Sequence, residues 1–329
     1  MTDGNKYNKT SDNKDNKGKQ RIAVVIPAYK VSANIIGVLS TIPAEVDEII
    51  VVDDRCPENS GKSAELTADK RVTVIYNTKN MGVGGAVVEG YKKALQLDCT
   101  VIVKMDGDGQ MDPVYLNDLI TPIVDGCADY SKGNRFFDFK ALKTMPVIRL
   151  LGNSALSFAV KLTSGYWNIA DPTNGYTAIL SETLRKLDLK KISTGYFFES
   201  SMLINLNIIN AVVADVSIPA KYGDEESSLS VTKVLLSFPP KLLSGLMRRL
   251  LLKYLIYDFN MASVYMLLGI PMFLFALALG LYEWAQSSLT GLVRSPGTIM
   301  LVALPIIVSF QMLLQAVNID ISSVPKRRC

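Results

Sequence analysis

The sequence contains no histidine. That absence excludes Ser-His-Asp and Cys-His catalysis and every histidine-ligated metal, so metal chemistry falls to carboxylates and amides. Cysteine is scarce: Cys56, Cys99, Cys127 and Cys329 stand far apart with no CxxC spacing. The pattern argues for reduced thiols, against both a disulfide framework and a zinc site. No large excess of basic charge is present either; a formal +4 over 329 residues does not point to nucleic acid. Residues 1–20 have almost no apolar side chains, being mostly Asn, Lys, Asp, Gly and Ser. They are expected to be a disordered tail, and without an apolar h-region they do not read as a signal peptide.

Two stretches near the other end lack charge instead. Met261 to Trp284 is uncharged until Glu283, and Gly297 to Asn318 is uncharged throughout. Each matches the ~20 residues needed to cross a bilayer, with Pro271 and Pro305 as tolerable kinks. Lys241, Arg248, Arg249 and Lys253 precede the first and Lys326, Arg327 and Arg328 follow the second, whereas the loop between them has only Arg294. The positive-inside rule then places both ends in the cytoplasm. Residues 233–257 mix leucines with cations and aromatics, as helices lying on an anionic leaflet do.

From Arg21 onward, short β-branched runs alternate with helical patterns. Strands are expected at 22–27, 48–54, 72–76, 100–106, 128–134, 175–180 and 212–218, with helices between them, for example from Ser32 as N-cap and over 82–97. Unbroken apolar strands joined by helices imply an α/β fold, a mostly parallel sheet covered on both faces. Its carboxyl edge, where open sheets bind ligands, receives the chemistry-bearing residues.

At that edge stands KMDGDGQMDP, residues 104–113, with three carboxylates in seven positions. Carboxylates this close repel unless a cation holds them. Oxygen donors favour Mg²⁺ or Mn²⁺, with one or two carboxylates and the remaining sites filled by water and substrate phosphate. Asp106, Asp108 and Gln110 are the candidate ligands. The glycine-rich NMGVGGAVVEG fails as a dinucleotide fingerprint: Val87 holds the third glycine position, and the cluster follows the third strand. Two readings stay open for it, a helix N-terminus close to the nucleotide or sugar at Gly82, and tight packing of helix on sheet.

PAYK, VVDD, NMGVGGAVVEGYKKA, KMDGDGQMDP, KGNRF and DPTNGYTA, in this order and spacing, resemble family 2 glycosyltransferases of GT-A fold. With two C-terminal spans after interfacial helices, the chain is most similar to the polyprenyl-phosphate branch, that of the dolichol-phosphate mannose synthases. The likeness covers residue 21 to about residue 325. Together with the composition and charge pattern, it gives the expected organisation: a disordered tail (1–20), a GT-A catalytic domain (21–230), interfacial amphipathic helices (231–258), two transmembrane helices (259–325, at about 261–284 and 297–318) and a basic cytoplasmic tail (326–329). By the same resemblance, Asp106, Asp108 and Gln110 serve the metal and the donor diphosphate, Asp53 and Asp54 hold the nucleoside, and Pro27, Ala28 and Tyr29 form the wall beneath the base. Lys132 and Arg135 match the acceptor side, Asp171 a carboxylate near the reacting centre, and Lys221 the loop that presents cations to the diphosphate. Lys30 and Val31 depart from the family's usual Asn-Glu, and Asp224, Glu225 and Glu226 make the loop around Lys221 unusually acidic.

The implied reaction is an inverting transfer of a hexose from a UDP- or GDP-sugar to a membrane polyprenyl phosphate. Such an acceptor is already largely anionic at neutral pH, so a general base is optional. Arg135 and Arg149 are candidates to grip its phosphate, Arg149 being equally readable as a membrane-surface cation. A rival reading transfers the sugar to a lipid-linked saccharide hydroxyl and needs Glu199 or Asp171 as base. A binding or scaffold protein is disfavoured by the intact metal motif. The expected partners are the nucleotide sugar, the lipid acceptor and the membrane, with no nucleic acid and with homo-oligomerisation left open.

Overall fold

The computed structural model describes residues 20–135, 147–219, 231–326 and 329. The expected tail, Gln20 apart, and the segment containing Lys221 lie outside the described residues.

Among the described residues, seven strands form one sheet in the order β3-β2-β1-β4-β6-β5-β7. They are β1 (Ile22–Ala28), β2 (Glu48–Asp53), β3 (Val72–Tyr76), β4 (Val101–Lys104), β5 (Tyr130–Asn134), β6 (Thr177–Leu180) and β7 (Val213–Ser217). Apolar residues on both faces of the strands call for cover on both sides. Val25, Ile102 and Tyr130 face one layer, built on α3 (Gly82–Gln96) and α7 (Phe198–Ile208). Val24, Ile26 and Val103 face the other, on α1 (Ile35–Thr41) and α4 (Leu116–Val124). The remaining short helices of this domain, α2 (Ser60–Glu65) and α6 (Ser181–Lys186), flank strands β3 and β6.

Two expectations about the elements of the sheet domain need correction. Helix α1 starts after Asn34, not Ser32: the Val31 carbonyl accepts from the N–H groups of Asn34 and Ile35, and the Ser32 hydroxyl turns to Glu58. Strand β6 is antiparallel to both β4 and β5, so its beginning, not its end, lies on the ligand edge. That reversal brings the DPTNG residues before β6 to the rim beside the ends of β4 and β5. The sheet order changes direction between β1 and β4, the kind of position where open α/β sheets hold ligands.

Helix α5 (Val147–Ser164) packs on α8 (Val231–Leu250), which continues through a π-helical turn (Leu251–Tyr257) into α9 (Met261–Thr290); α10 (Pro296–Ser322) pairs with α9. Both α9 and α10 are long and apolar enough to cross a membrane, each with an 18-residue stretch of mean hydropathy 2.3 and 2.1 respectively. Polar caps at Asn260 and Ser295 start them, and they outrun the uncharged stretches at their carboxyl ends, to Thr290 and Ser322.

The join between this pair and the sheet domain is polar and buried. Arg249, 1% exposed, meets Asp320 of α10 through two hydrogen bonds of 2.7 and 3.0 Å and donates to the carbonyls of Thr163 and Leu162. Lys253 donates to Asn207 at 3.0 Å, and the Tyr254 hydroxyl to Asp320 at 2.6 Å. Arg249 and Lys253, read from sequence as membrane-facing cations, are therefore internal fasteners. Cys127 and Cys329 form a disulfide across 202 residues of sequence, which corrects the expectation of free thiols there; Cys56 and Cys99 are free and buried.

Candidate active site

On the expected donor side, β1 and β2 end beside each other, with Ala28 in register with Asp53. Both aspartates are 3% exposed. Asp53 accepts from the N–H groups of Cys56 and Gly61, each at 2.7 Å. Asp54 accepts from the Asn77 side chain at 2.8 Å and from the N–H groups of Met81 at 2.8 Å and Gly82 at 2.7 Å. The pair thus ties the loops after β2 and β3 into one wall. Gly82 and Met81 have given their donors to Asp54, so the start of α3 is not a free anion site. Close packing accounts for the neighbouring glycine, since a Cβ at Gly84 would collide with the Ser193 carbonyl and with Phe198. Pro27 is half-buried, Ala28 is wholly buried with its carbonyl accepting from the Asp54 N–H, and Tyr29 is exposed at the rim.

The acidic motif follows β4. Lys104, at the strand's end, is 1% exposed, and its ammonium lies 2.8 Å from Asp106 and 3.4 Å from Glu199 on α7. Burial works against that charge, but Asp106 and Glu199 outweigh it and hold the group above the ordinary lysine range. Asp106 and Asp108 are half-buried and Gln110 is exposed. One Asp108 oxygen accepts the Gln110 N–H at 2.9 Å, and Asn34 donates to the Asp108 carbonyl, which closes the turn. Asp112, the third carboxylate, instead caps the 3₁₀ turn Pro113–Tyr115 by accepting from Val114.

Among the described residues no three carboxylate or thiol side chains gather into a closed cage. Two carboxylates and an amide at an open rim suit Mg²⁺ or Mn²⁺, which complete their shells with water and phosphate. Gly175 keeps the space beside them clear: a Cβ there would collide with the Lys104 ammonium and stand 3.2 Å from Asp106. The donor set therefore fits such an ion.

Across β6 lies the expected acceptor side. Asp171, wholly buried, binds the Arg135 guanidinium through Nε at 2.7 Å and a terminal nitrogen at 3.2 Å, and accepts from Thr173. The Arg135 side chain is 41% exposed. The planar guanidinium that Asp171 fixes has the fork geometry that suits an oxyanion. Lys132 has no exposed surface and donates to the Asn174 carbonyl, so it braces the DPTNG loop from beneath. Burial pushes its ammonium down to about 8, against the pull of Glu199 and Asp171. Arg149 stands on α5, with its side chain outside the described residues.

Sequence reasoning missed Lys104, Asn34, Thr173 and Gly175. A signal for Lys104 was present: a lone cation inside the apolar run VIVKM of a central strand demands a buried counter-charge.

Residues 23–188 match the model of the family described as "Glycosyl transferase family 2". A UDP-N-acetylglucosamine–dolichyl-phosphate N-acetylglucosaminyltransferase of Methanococcus voltae is 31% identical over 232 residues, spanning 66% of this chain and 92% of that one. A polyprenol monophosphomannose synthase of Mycolicibacterium smegmatis is 30% identical over 217 residues, 64% of this chain and 80% of its own. Among solved structures, glucosyl-3-phosphoglycerate synthase from Mycobacterium tuberculosis aligns with a TM-score of 0.51 at 18% identity, over 70% of this chain and 80% of that one. At that identity the likeness speaks for the fold.

Proposed function

The chain belongs to glycosyl transferase family 2 and is a glycosyltransferase, and from that premise we propose that it moves a hexose from a nucleotide-diphosphate donor to a membrane polyprenyl phosphate. The relatives named above act, by their names, on dolichyl and polyprenol phosphates. The observation that carries the choice of acceptor is that both candidate bases are engaged by cations, Asp171 by Arg135 and Glu199 by Lys104, which it shares with Asp106. A hydroxyl acceptor would need one of them to take a proton. A phosphate monoester, with its second pKa near 6, arrives as an anion and needs none.

In this reading Asp53, Asp54, Pro27 and Tyr29 line the nucleoside pocket, with Gly82 in its wall. Asp106, Asp108 and Gln110 would hold Mg²⁺ or Mn²⁺, which supplies positive charge to the departing diphosphate. Arg135, oriented by Asp171, binds the acceptor phosphate, and Lys132 fixes the loop that carries Asp171. β4 and β5 are separated only by β6, so the strand ends that carry the two charged groups stand about 10 Å apart, two strand spacings. That separation leaves room for a sugar between leaving group and nucleophile, and a single displacement inverts the anomeric carbon. The domain of residues 21–230 sits at the cytoplasmic surface, held there by helix 231–258 and by spans within 259–325. Both termini are cytoplasmic in this reading, as the basic flanks argue.

The test is a screen of labelled UDP- and GDP-hexoses with full-length protein in detergent, Mn²⁺ and bare polyprenyl phosphate. Transfer is expected, and chelation or the Asp106→Ala/Asp108→Ala pair should abolish it. Transfer only to a lipid-linked saccharide would overturn the assignment of acceptor. Undiminished transfer by the double variant would overturn the role of the rim.

A further inference from the structure

A cleft of about 400 Å³, lined by none of the rim residues named above, opens between α7 and α8. Lys191, Lys241 and Arg248 border it, with Ser201, Asn205 and Ser244 between them. Among the described residues none of the three cations has an ion-pair partner. Arg248 Nε is shielded from solvent and meets no acceptor there. An unsatisfied buried donor of a charged group is costly, and an anion in the cleft would satisfy it.

The position of the cleft selects the source of that anion. Lys241, Ser244 and Arg248 recur at helical spacing and share one face of α8. About 100° around the helix, Leu243, Met247 and Leu251 form an exposed apolar stripe, at 61, 45 and 47%. α8 then runs through Ile256, Tyr257 and Phe259, all more than 60% exposed, into α9. A helix with its stripe in the acyl layer holds the cationic face at headgroup depth.

We infer that the α7–α8 cleft is a binding site for the phosphate of an anionic phospholipid headgroup, separate from the transfer site. Lys241 and Lys191 supply charge at the mouth, and the Arg248 guanidinium donates to the phosphate oxygens from the floor. The exposed Ser244 hydroxyl is placed for the headgroup's polar remainder, while Ser201 and Asn205, tied to Ser193 and to each other, form the polar wall behind it. The site uses the same membrane placement as the proposed function but not its chemistry.

Delipidated full-length protein in neutral detergent, titrated with phosphatidylglycerol or phosphatidylcholine and followed by native mass spectrometry, tests it. Parent protein is expected to take one phosphatidylglycerol with at least about ten-fold preference, and Lys241→Gln/Arg248→Gln to lose that preference, each cation near the surface contributing about five-fold. Ser244→Asp, which puts a carboxylate into the cleft while leaving every cation in place, should lose it as well. All variants should keep the detergent-solubilised transferase rate, so failure here is distinct from failure of the acceptor assignment. Equal binding of the two lipids, or of phosphatidylglycerol by parent and variants, overturns the site. Displacement by inorganic phosphate as tight as the lipid itself would make the ligand a free anion and overturn the lipid assignment.

Discussion

The Nζ of Lys104 lies 2.8 Å from Oδ1 of Asp106, and the same ammonium reaches Glu199 at 3.4 Å. One buried cation thus sets the position of a proposed metal ligand and occupies a carboxylate that could otherwise serve as a base. Lys104→Met should leave two carboxylates facing each other. Because Asp106 is 30% exposed, the stability loss is expected at about 2 kcal/mol, below that of a fully buried pair. The displaced carboxylate should cost about 10²-fold in kcat and raise the Mn²⁺ concentration for half activity. Thermal melts and metal titrations of the variant check both; an unchanged metal requirement would remove Lys104 from the positioning of the site.

Arg135 and Asp171 form the second such relationship. If Asp171 acts by aiming the guanidinium, Asp171→Asn and Arg135→Ala should each lower kcat/KM for the lipid phosphate by about 10²-fold, while donor hydrolysis stays constant. Their effects should overlap in the double variant, with a coupling above about 1 kcal/mol. Additive losses would mean that Asp171 touches the reaction by itself.

These pairings mark the limit of what the sequence carried. Strand β3 falls at the expected residues 72–76, the other strands differ from expectation by a few residues, and α3 ends one residue early, because period and turn chemistry are local. Asp106, Asp108 and Gln110 reach the rim because a strand end positions them whatever packs nearby. Partnership is not local. Arg249 and Lys253 read as surface cations in a leucine-rich helix, and only docking of α8 against α5 and α10 makes them internal. The reversal of β6 leaves no trace in its own apolar run, since direction is fixed by neighbours. Cys127 and Cys329 are 202 residues apart, a separation with no motif signature.

Lys132 gives a pH signature. Its ammonium is depressed in the folded protein to about 8, from 10.5, so the unfolded chain binds more protons between those values. Stability therefore rises with pH through that window, by at most about 1.4 kcal/mol per unit. Below pH 8 the cost of burying the charge is present in full. Lys132→Met has no such group, and the parent should gain stability relative to this variant as pH rises from 8 to 10.5. Parallel denaturation curves at several pH values provide the check, and a constant difference would place the Lys132 ammonium in a wetter site.

The pair Arg249–Asp320 links the catalytic domain to α10 in a way that separates stability from placement. Arg249→Met alone strands a buried carboxylate and should cost about 3–5 kcal/mol, whereas Arg249→Met/Asp320→Leu should recover most of it. Recovery is incomplete because the Tyr254 hydroxyl loses an acceptor at 2.6 Å, though Ser323 remains at 3.0 Å. The double variant is then folded but less firmly fastened. If the fastening sets the depth of the rim against the lipid surface, that variant should transfer sugar to a short, water-soluble prenyl phosphate at the parent rate and lose rate on a long-chain acceptor in bilayers. Equal rates on the long-chain acceptor would mean that the remaining contacts, Lys253 with Asn207 and α5 with α8, are sufficient to hold the domain at its working height.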